Sequence, residues 1–130
     1  ACAKTEDGFA TFLEQFASEP EIRAGYSAPT IEVRDINNPD RLIASQTPQQ
    51  ADPFRIAMVD YQWSYDEPGK DAGQLSRIKL DRKLSGDRMR LDLVKAEFSP
   101  DEEVVKTIGS PEAYVFEFKQ DCWQLAQHLR

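Results

Sequence analysis

What this chain lacks narrows its chemistry before any pattern is read. It has a single histidine, His128, and two cysteines, Cys2 and Cys122, too few and too far apart for a zinc site. Its six glycines are scattered turn residues and make no phosphate-cradling loop. No run approaches the ~18 consecutive apolar residues of a membrane span. No stretch has the build of a signal peptide, so the segment is expected to be soluble. A Ser-His-Asp or Cys-His centre would have to use His128, near the end and expected on an exposed polar face. The expectation is therefore no catalytic residue, no cofactor and no metal ligand.

What is present is the material of one folded domain. The 130 residues are 40% apolar and 10% aromatic, enough for a real core without metal or disulfide support. The formal net charge is −7, but it is unevenly placed. Between Leu75 and Lys95 seven cations (Arg77, Lys79, Arg82, Lys83, Arg88, Arg90, Lys95) face three acids, a local +4 that leaves −11 elsewhere. An acidic body argues against nucleic acid or an anionic membrane as partner and suits a basic protein. The basic strip reads first as a solvated strand face and second as an anion site.

The cysteines admit three readings. Cys2 and Cys122 pair in an oxidising compartment; or they are independent; or Cys2 is the lipidated first residue of a bacterial lipoprotein, with Ala1 preceding the cleavage point. Exported readings fit best: a periplasmic protein, touching the membrane only through a lipid anchor at Cys2. Residues 1–7 are expected as a flexible tether and 8–130 as a single α+β domain.

Thr5-Glu6-Asp7 is a helix start, and Phe9, Phe12, Leu13 and Phe16 then form one apolar stripe. Ser18–Glu21 offers a capping box for a second, short helix ending at Gly25. Pro29 opens a strand in which Ile31 and Val33 alternate with Glu32 and Arg34, closed by a turn over Asn37–Asp40. Ser45–Pro53 reads as a loop. Val59, Tyr61, Trp63 and Tyr65 alternate with polar residues, as in one strand with an aromatic face. Asp66–Gly73 is a surface loop whose acids lack calcium-loop spacing. A hairpin follows around Ser85-Gly86. Pairing Asp81 with Arg90 and Lys79 with Asp92 favours the register whose paired numbers sum to 171 over its neighbour at 173, which sets like charges opposite one another. A bulge is expected near Leu93-Val94. Ser99–Glu102 suggests a short helix to about Thr107, although Val104 and Val105 favour strand.

The last hairpin is the most legible element. With Gln120-Asp121 at the turn, Phe118 faces Trp123 and Phe116 faces Leu125, opposite a polar face carrying Cys122. Phe9, Phe12, Phe16, Phe116, Phe118 and Trp123 are the expected core aromatics. Tyr26, Tyr61 and Tyr65 are the expected lining of a pocket, in which Asp60 beside a tyrosine is the one acid–base pairing worth weighing.

The helix with Phe9-x2-Phe12-x3-Phe16, the short second helix before a Pro-led strand, and the closing Phe116-Glu117-Phe118…Cys122-Trp123-Gln124-Leu125 together resemble the nuclear-transport-factor-2-like superfamily. Within it the likeness is to small exported bacterial proteins of unknown function. The resemblance implies a cystatin-like cone: an N-terminal helix and a short second helix packed on a curved antiparallel sheet. That fold hosts isomerases, ligand binders and interaction modules alike, so it assigns no activity by itself. Here the first helix has phenylalanines where the isomerases place an acid-donating tyrosine. The leading expectation is a non-catalytic protein-binding module of the bacterial cell envelope, an immunity or inhibitor protein against a basic secreted toxin, effector or hydrolase. The alternatives are a small hydrophobic ligand binder or isomerase-like enzyme using the cone pocket, and a structural envelope lipoprotein, as monomer or homodimer.

Overall fold

A computed structural model describes residues 2–49 and 52–130 and shows an α+β fold. Ala1, invoked for a lipoprotein start, and Gln50 and Ala51, inside the expected Ser45–Pro53 loop, lie outside the described residues. Helix α1 (Glu6–Ser18) begins as its sequence dictates: the Thr5 hydroxyl accepts the Gly8 N–H at 2.9 Å, with Glu6 and Asp7 in the first turn. Helix α2 (Pro20–Arg23) follows, with proline where its missing N–H costs nothing. The capping box expected at Ser18–Glu21 does not form, because Ser18 ends α1 and its hydroxyl donates to the Glu14 carbonyl. Arg23 joins the helices instead, donating to the Phe16 and Ala17 carbonyls at 2.9 and 3.0 Å and pairing with Asp52 at 2.8 Å.

The strands are β1 (Ser27–Asp35), β2 (Asn38–Gln46), β3 (Ile56–Val59), β4 (Gln62–Tyr65), β5 (Ile78–Ser85), β6 (Arg88–Phe98), β7 (Val104–Lys119) and β8 (Cys122–Leu129). Six of them form one sheet in the order β2-β1-β8-β7-β6-β5, antiparallel except for the parallel pair β1–β8, while β3 and β4 make a separate small hairpin. The α1 stripe lies on one face of the sheet. Phe9, Phe12 and Phe16 meet the Phe116 ring edge-on at 5.1, 5.9 and 5.4 Å. Phe9 meets Trp123 at 5.4 Å, and Phe54, whose place in the core its polar neighbours concealed, meets Phe16 at 4.9 Å. The expected core aromatics are buried, apart from a half-buried Phe118.

The last hairpin keeps its expected register through Phe118/Trp123 and Phe116/Leu125. Gln120 and Asp121 both adopt positive φ, 54° and 64°, as a type I′ turn requires. Beyond Phe116 the register slips by one, so Tyr114 faces His128 instead of Gln127.

The second hairpin takes the register that charge pairing disfavoured. Asp81 faces Asp92 and Lys83 faces Arg90, with Leu80 opposite Leu93 and Leu84 opposite Met89. The turn is Gly86-Asp87, with Gly86 at φ +60°, the residue and sign that the first central position of a type II′ turn needs. Turn and apolar face decide because exposed charge pairs are worth little. The acids also find cations on their own strands: Lys79–Asp81 at 3.4 Å and Arg90–Asp92 at 3.1 Å. The irregularity expected near Leu93-Val94 falls between Leu93 and Lys95, but the surplus residues sit in β7, around Gly109 at φ +78°.

Three further expectations change. Residues 59–65 are not one strand: Asp60 and Tyr61, at φ 50° and 63°, form a two-residue turn between β3 and β4. Ser99–Thr107 is not a helix. Ser99 accepts the Glu102 and Glu103 N–H groups through its carbonyl and hydroxyl, closing a turn, and the β-branched run from Val104 extends as β7. Finally, the Asn37–Asp40 turn sits earlier, at Ile36-Asn37, and β2 runs on to Gln46.

Candidate functional site

The three tyrosines expected to share a pocket lie at three separate clefts. Tyr26 stacks edge-on against Phe12 at 5.7 Å beside a cleft of only about 100 Å³. Tyr61, at the β3–β4 turn, is 98% exposed and borders an open groove with Trp63, Arg77 and Phe98. Tyr65 lines a third cleft of about 270 Å³ with Lys95, Gly109 and Glu112. Asp60 shares the exposed turn with Tyr61, so the acid–base pairing is not assembled in an apolar site. The aromatic core lies between α1 and the sheet, and a second helix-side cleft of about 220 Å³ opens beside it at Ala10, Leu13, Trp63 and Leu80. Both helix-side clefts are below the ~300 Å³ at which small-molecule sites begin.

Cys2 and Cys122 are joined in a disulfide with their Cα atoms 4.9 Å apart. Residues 2–5, expected within a flexible tether, are held to the sheet by that bridge and by two polar contacts. Trp123 Nε1 donates to the Ala3 carbonyl at 3.1 Å, and Lys4 meets Asp87 at 2.6 Å.

Among the described residues, a buried polar cluster gathers around His128, which the sequence does not announce. His128, expected to be exposed, is 6% exposed because the register slip turns it inward opposite Tyr114. The two rings stack at 4.6 Å. His128 Nε2 meets Glu112 Oε1 at 2.8 Å, and Tyr65 donates its phenol proton to Glu112 Oε2 at 2.8 Å. Behind them Tyr114 donates to the Pro53 carbonyl at 2.7 Å and accepts the Arg55 N–H at 2.9 Å. Burial, followed by the Glu112 carboxylate, pushes the Tyr65 phenol up to about 12. Burial alone would raise Glu112, but the hydrogen bonds from His128 and Tyr65 outweigh it and hold the carboxyl below its ordinary value. The Glu112 carboxylate, both phenols and His128 Nε2 are engaged in hydrogen bonds within the cluster. It fastens β4 and the 52–55 strap to β7 and β8.

Glu112→Gln is therefore expected to cost about 1–3 kcal/mol at neutral pH, the penalty for poorly paired buried groups. Because the folded-state pKa is depressed, the wild-type advantage is complete above the ordinary carboxylate range and fades as pH falls through the lowered value. Denaturant melts of both proteins from pH 7 down to pH 3 should converge; a gap unchanged by acid would refute the linkage.

Of the exposed apolar residues among those described, Leu42 and Ile43 lie on β2, and Val104, Val105 and Ile108 lie together on β7. Over residues 104–112, β7 is hydrogen-bonded to β6 on one side, and among the described residues no strand covers its other edge. All but Glu112 of that stretch are exposed, including Val105 at 63% and Ile108 at 42%. Glu102, at the turn before it, is tied to Arg77 at 2.7 Å and to Gln62 at 3.2 Å, so the arm is braced against the β3–β4 hairpin. The open edge of a rigid, apolar-studded strand is a template for another strand. Its sequence signal was the run Val104, Val105, Thr107, Ile108, masked by the helix-like Ser99–Glu102.

No protein-family model matches this chain, and no curated protein matches its sequence.

Proposed function

We propose that the protein is a non-catalytic protein-binding module of the bacterial cell envelope, and that its partner adds a strand to the free edge of β7. The observation that carries this reading is that edge: residues 104–112 offer unpaired backbone flanked by exposed Val105 and Ile108. Main-chain pairing there supplies affinity and the alternate side chains supply selectivity. The small clefts beside α1, about 100 and 220 Å³, favour a binding module over the cone-pocket reading. Of the two exported roles read for Cys2, we favour the bridge to Cys122 in the periplasm, since one sulfur cannot also carry a lipid. The net charge of −7 suits a basic secreted toxin or hydrolase as the partner to be inhibited. The aromatic positions of α1 and the last hairpin support membership of the nuclear-transport-factor-2-like superfamily.

A photo-crosslinking residue at position 105 should capture one predominant envelope protein, whereas the same residue at exposed Glu14 should not. With the crosslinking residue kept at position 105, Val104→Asp with Ile108→Asp should abolish capture while changing stability by less than about 0.5 kcal/mol per site, as exposed positions do. Capture that survives the double substitution, or none from position 105, would sink the proposal.

A further inference from the structure

The second hairpin's register places two cations opposite each other on the face of the sheet away from α1. Lys83 faces Arg90, and Ser85 faces Arg88 in the next pair. Directly opposed like charges destabilise a sheet, and the contact of Arg90 with Asp92 offsets that cost only in part. Among the described residues neither Lys83 nor Arg88 has a carboxylate within ion-pair distance. Arg90 spends its Nε on Asp92 at 3.1 and 3.2 Å, while its terminal nitrogens make no hydrogen bond among the described residues. Arg88 Nη2 donates only to the Gln127 amide oxygen, at 3.2 Å.

These side chains border a cleft of about 350 Å³ that also takes in Pro39, Val115, Gln127 and Leu129. Three cations and no carboxylate line it. The acids nearby are held by cations of their own: Glu32 by Arg34 at 2.9 Å and Glu117 by Lys119 at 3.9 Å. The Arg34 hydrogen bonds, then that of Gln127, hold the Glu32 carboxyl below its ordinary value. The floor is apolar, because Val115 and Leu129 belong to a small second core with Ala113 on this face. The volume falls within the range of small-ligand sites, about 300–1,000 Å³.

We infer that this cleft binds a small amphipathic organic anion. Its carboxylate or phosphate sits among Lys83, Arg88 and Arg90, and its apolar portion lies on Val115, Leu129 and Pro39. The anion relieves the Lys83–Arg90 repulsion, and the two guanidinium groups offer it charge-assisted hydrogen bonds. The site lies across the sheet from the aromatic core and is independent of the β7 edge.

Titration of the full chain with hexyl phosphate and with hexanoate, followed by amide chemical shifts, tests this. Saturable shifts confined to residues near 83–90, 115 and 127–129 are expected for at least one of them. Inorganic phosphate should bind more weakly, and hexylamine should not bind at this face. Lys83→Gln and Arg90→Gln should each weaken binding about tenfold, the loss of one charged contact. Lys83→Gln should not melt below the wild type, because it removes a like-charge pair, whereas Arg90→Gln also gives up the Asp92 contact. Absence of saturable shifts at millimolar anion, equal binding by the Gln variants, or inorganic phosphate binding as tightly as hexyl phosphate would each overturn the assignment.

Discussion

Trp123→Ala is expected to lower stability by about 3–5 kcal/mol, the range of large aromatic truncations in a core. Trp123 is 0% exposed and stands where α1, the last hairpin and the N-terminal segment meet. Its ring takes Phe9 edge-on at 5.4 Å on one side and Phe118 at 5.1 Å on the other. Truncation empties that volume, and the close-packed surroundings relax into it only in part. The indole proton also leaves the Ala3 carbonyl, loosening the segment that carries Cys2. Urea unfolding measures the loss. Trp123→Phe separates the two contributions: it keeps most of the packing, deletes the hydrogen bond, and should cost roughly a third as much. A loss below about 1 kcal/mol for the alanine variant, typical of an exposed site, would mean that the hairpin does not present this face to α1.

Removing the Cys2–Cys122 bridge should cost roughly 2–5 kcal/mol. The two residues are 120 positions apart, so the bridge closes nearly the whole chain into one loop. A loop of that size takes much conformational freedom from the unfolded chain, and that loss is the main source of the stabilisation. The double variant Cys2→Ser, Cys122→Ser should therefore unfold at lower urea than wild type, with the folded signal unchanged before the transition. Reductant should shift the wild type toward the variant and leave the variant where it is. Intact mass supplies the chemical check, since reduction must add two hydrogens. A wild type indifferent to reductant, with no mass change, would return Cys2 to a free or lipid-bearing role.

Much of the core was legible because its signals are local. Phe9, Phe12, Leu13 and Phe16 share a helix face by spacing alone, and Thr5 caps that helix whatever lies around it. The pairs Phe116/Leu125 and Phe118/Trp123 follow from alternation about one tight turn. The β3–β4 turn was hidden because Asp60 and Tyr61 adopt positive φ without a glycine to announce it. In the second hairpin the glycine at the turn outweighs the weak exposed charge pairs, which point to the other register.

The sequence by itself determined the α+β class, the aromatic core and the means for a Cys2–Cys122 bridge, all properties of spacing and composition. Tertiary structure alone decided what the polar residues do. A one-residue slip beyond Phe116 turned His128 from the expected exposed face into a buried partner of Glu112 and Tyr65. A two-residue difference in the register of the second hairpin set Lys83 against Arg90. The surplus around Gly109 shifts the pairing of β7 with β6, while the described β8 pairs with β7 only from Ala113 onward. The side-chain period of a strand is two, so the one-residue slip exchanges faces, whereas the two-residue change in the second hairpin exchanges partners and keeps the faces. Which shift occurs is settled by turns, bulges and packing summed over the whole sheet.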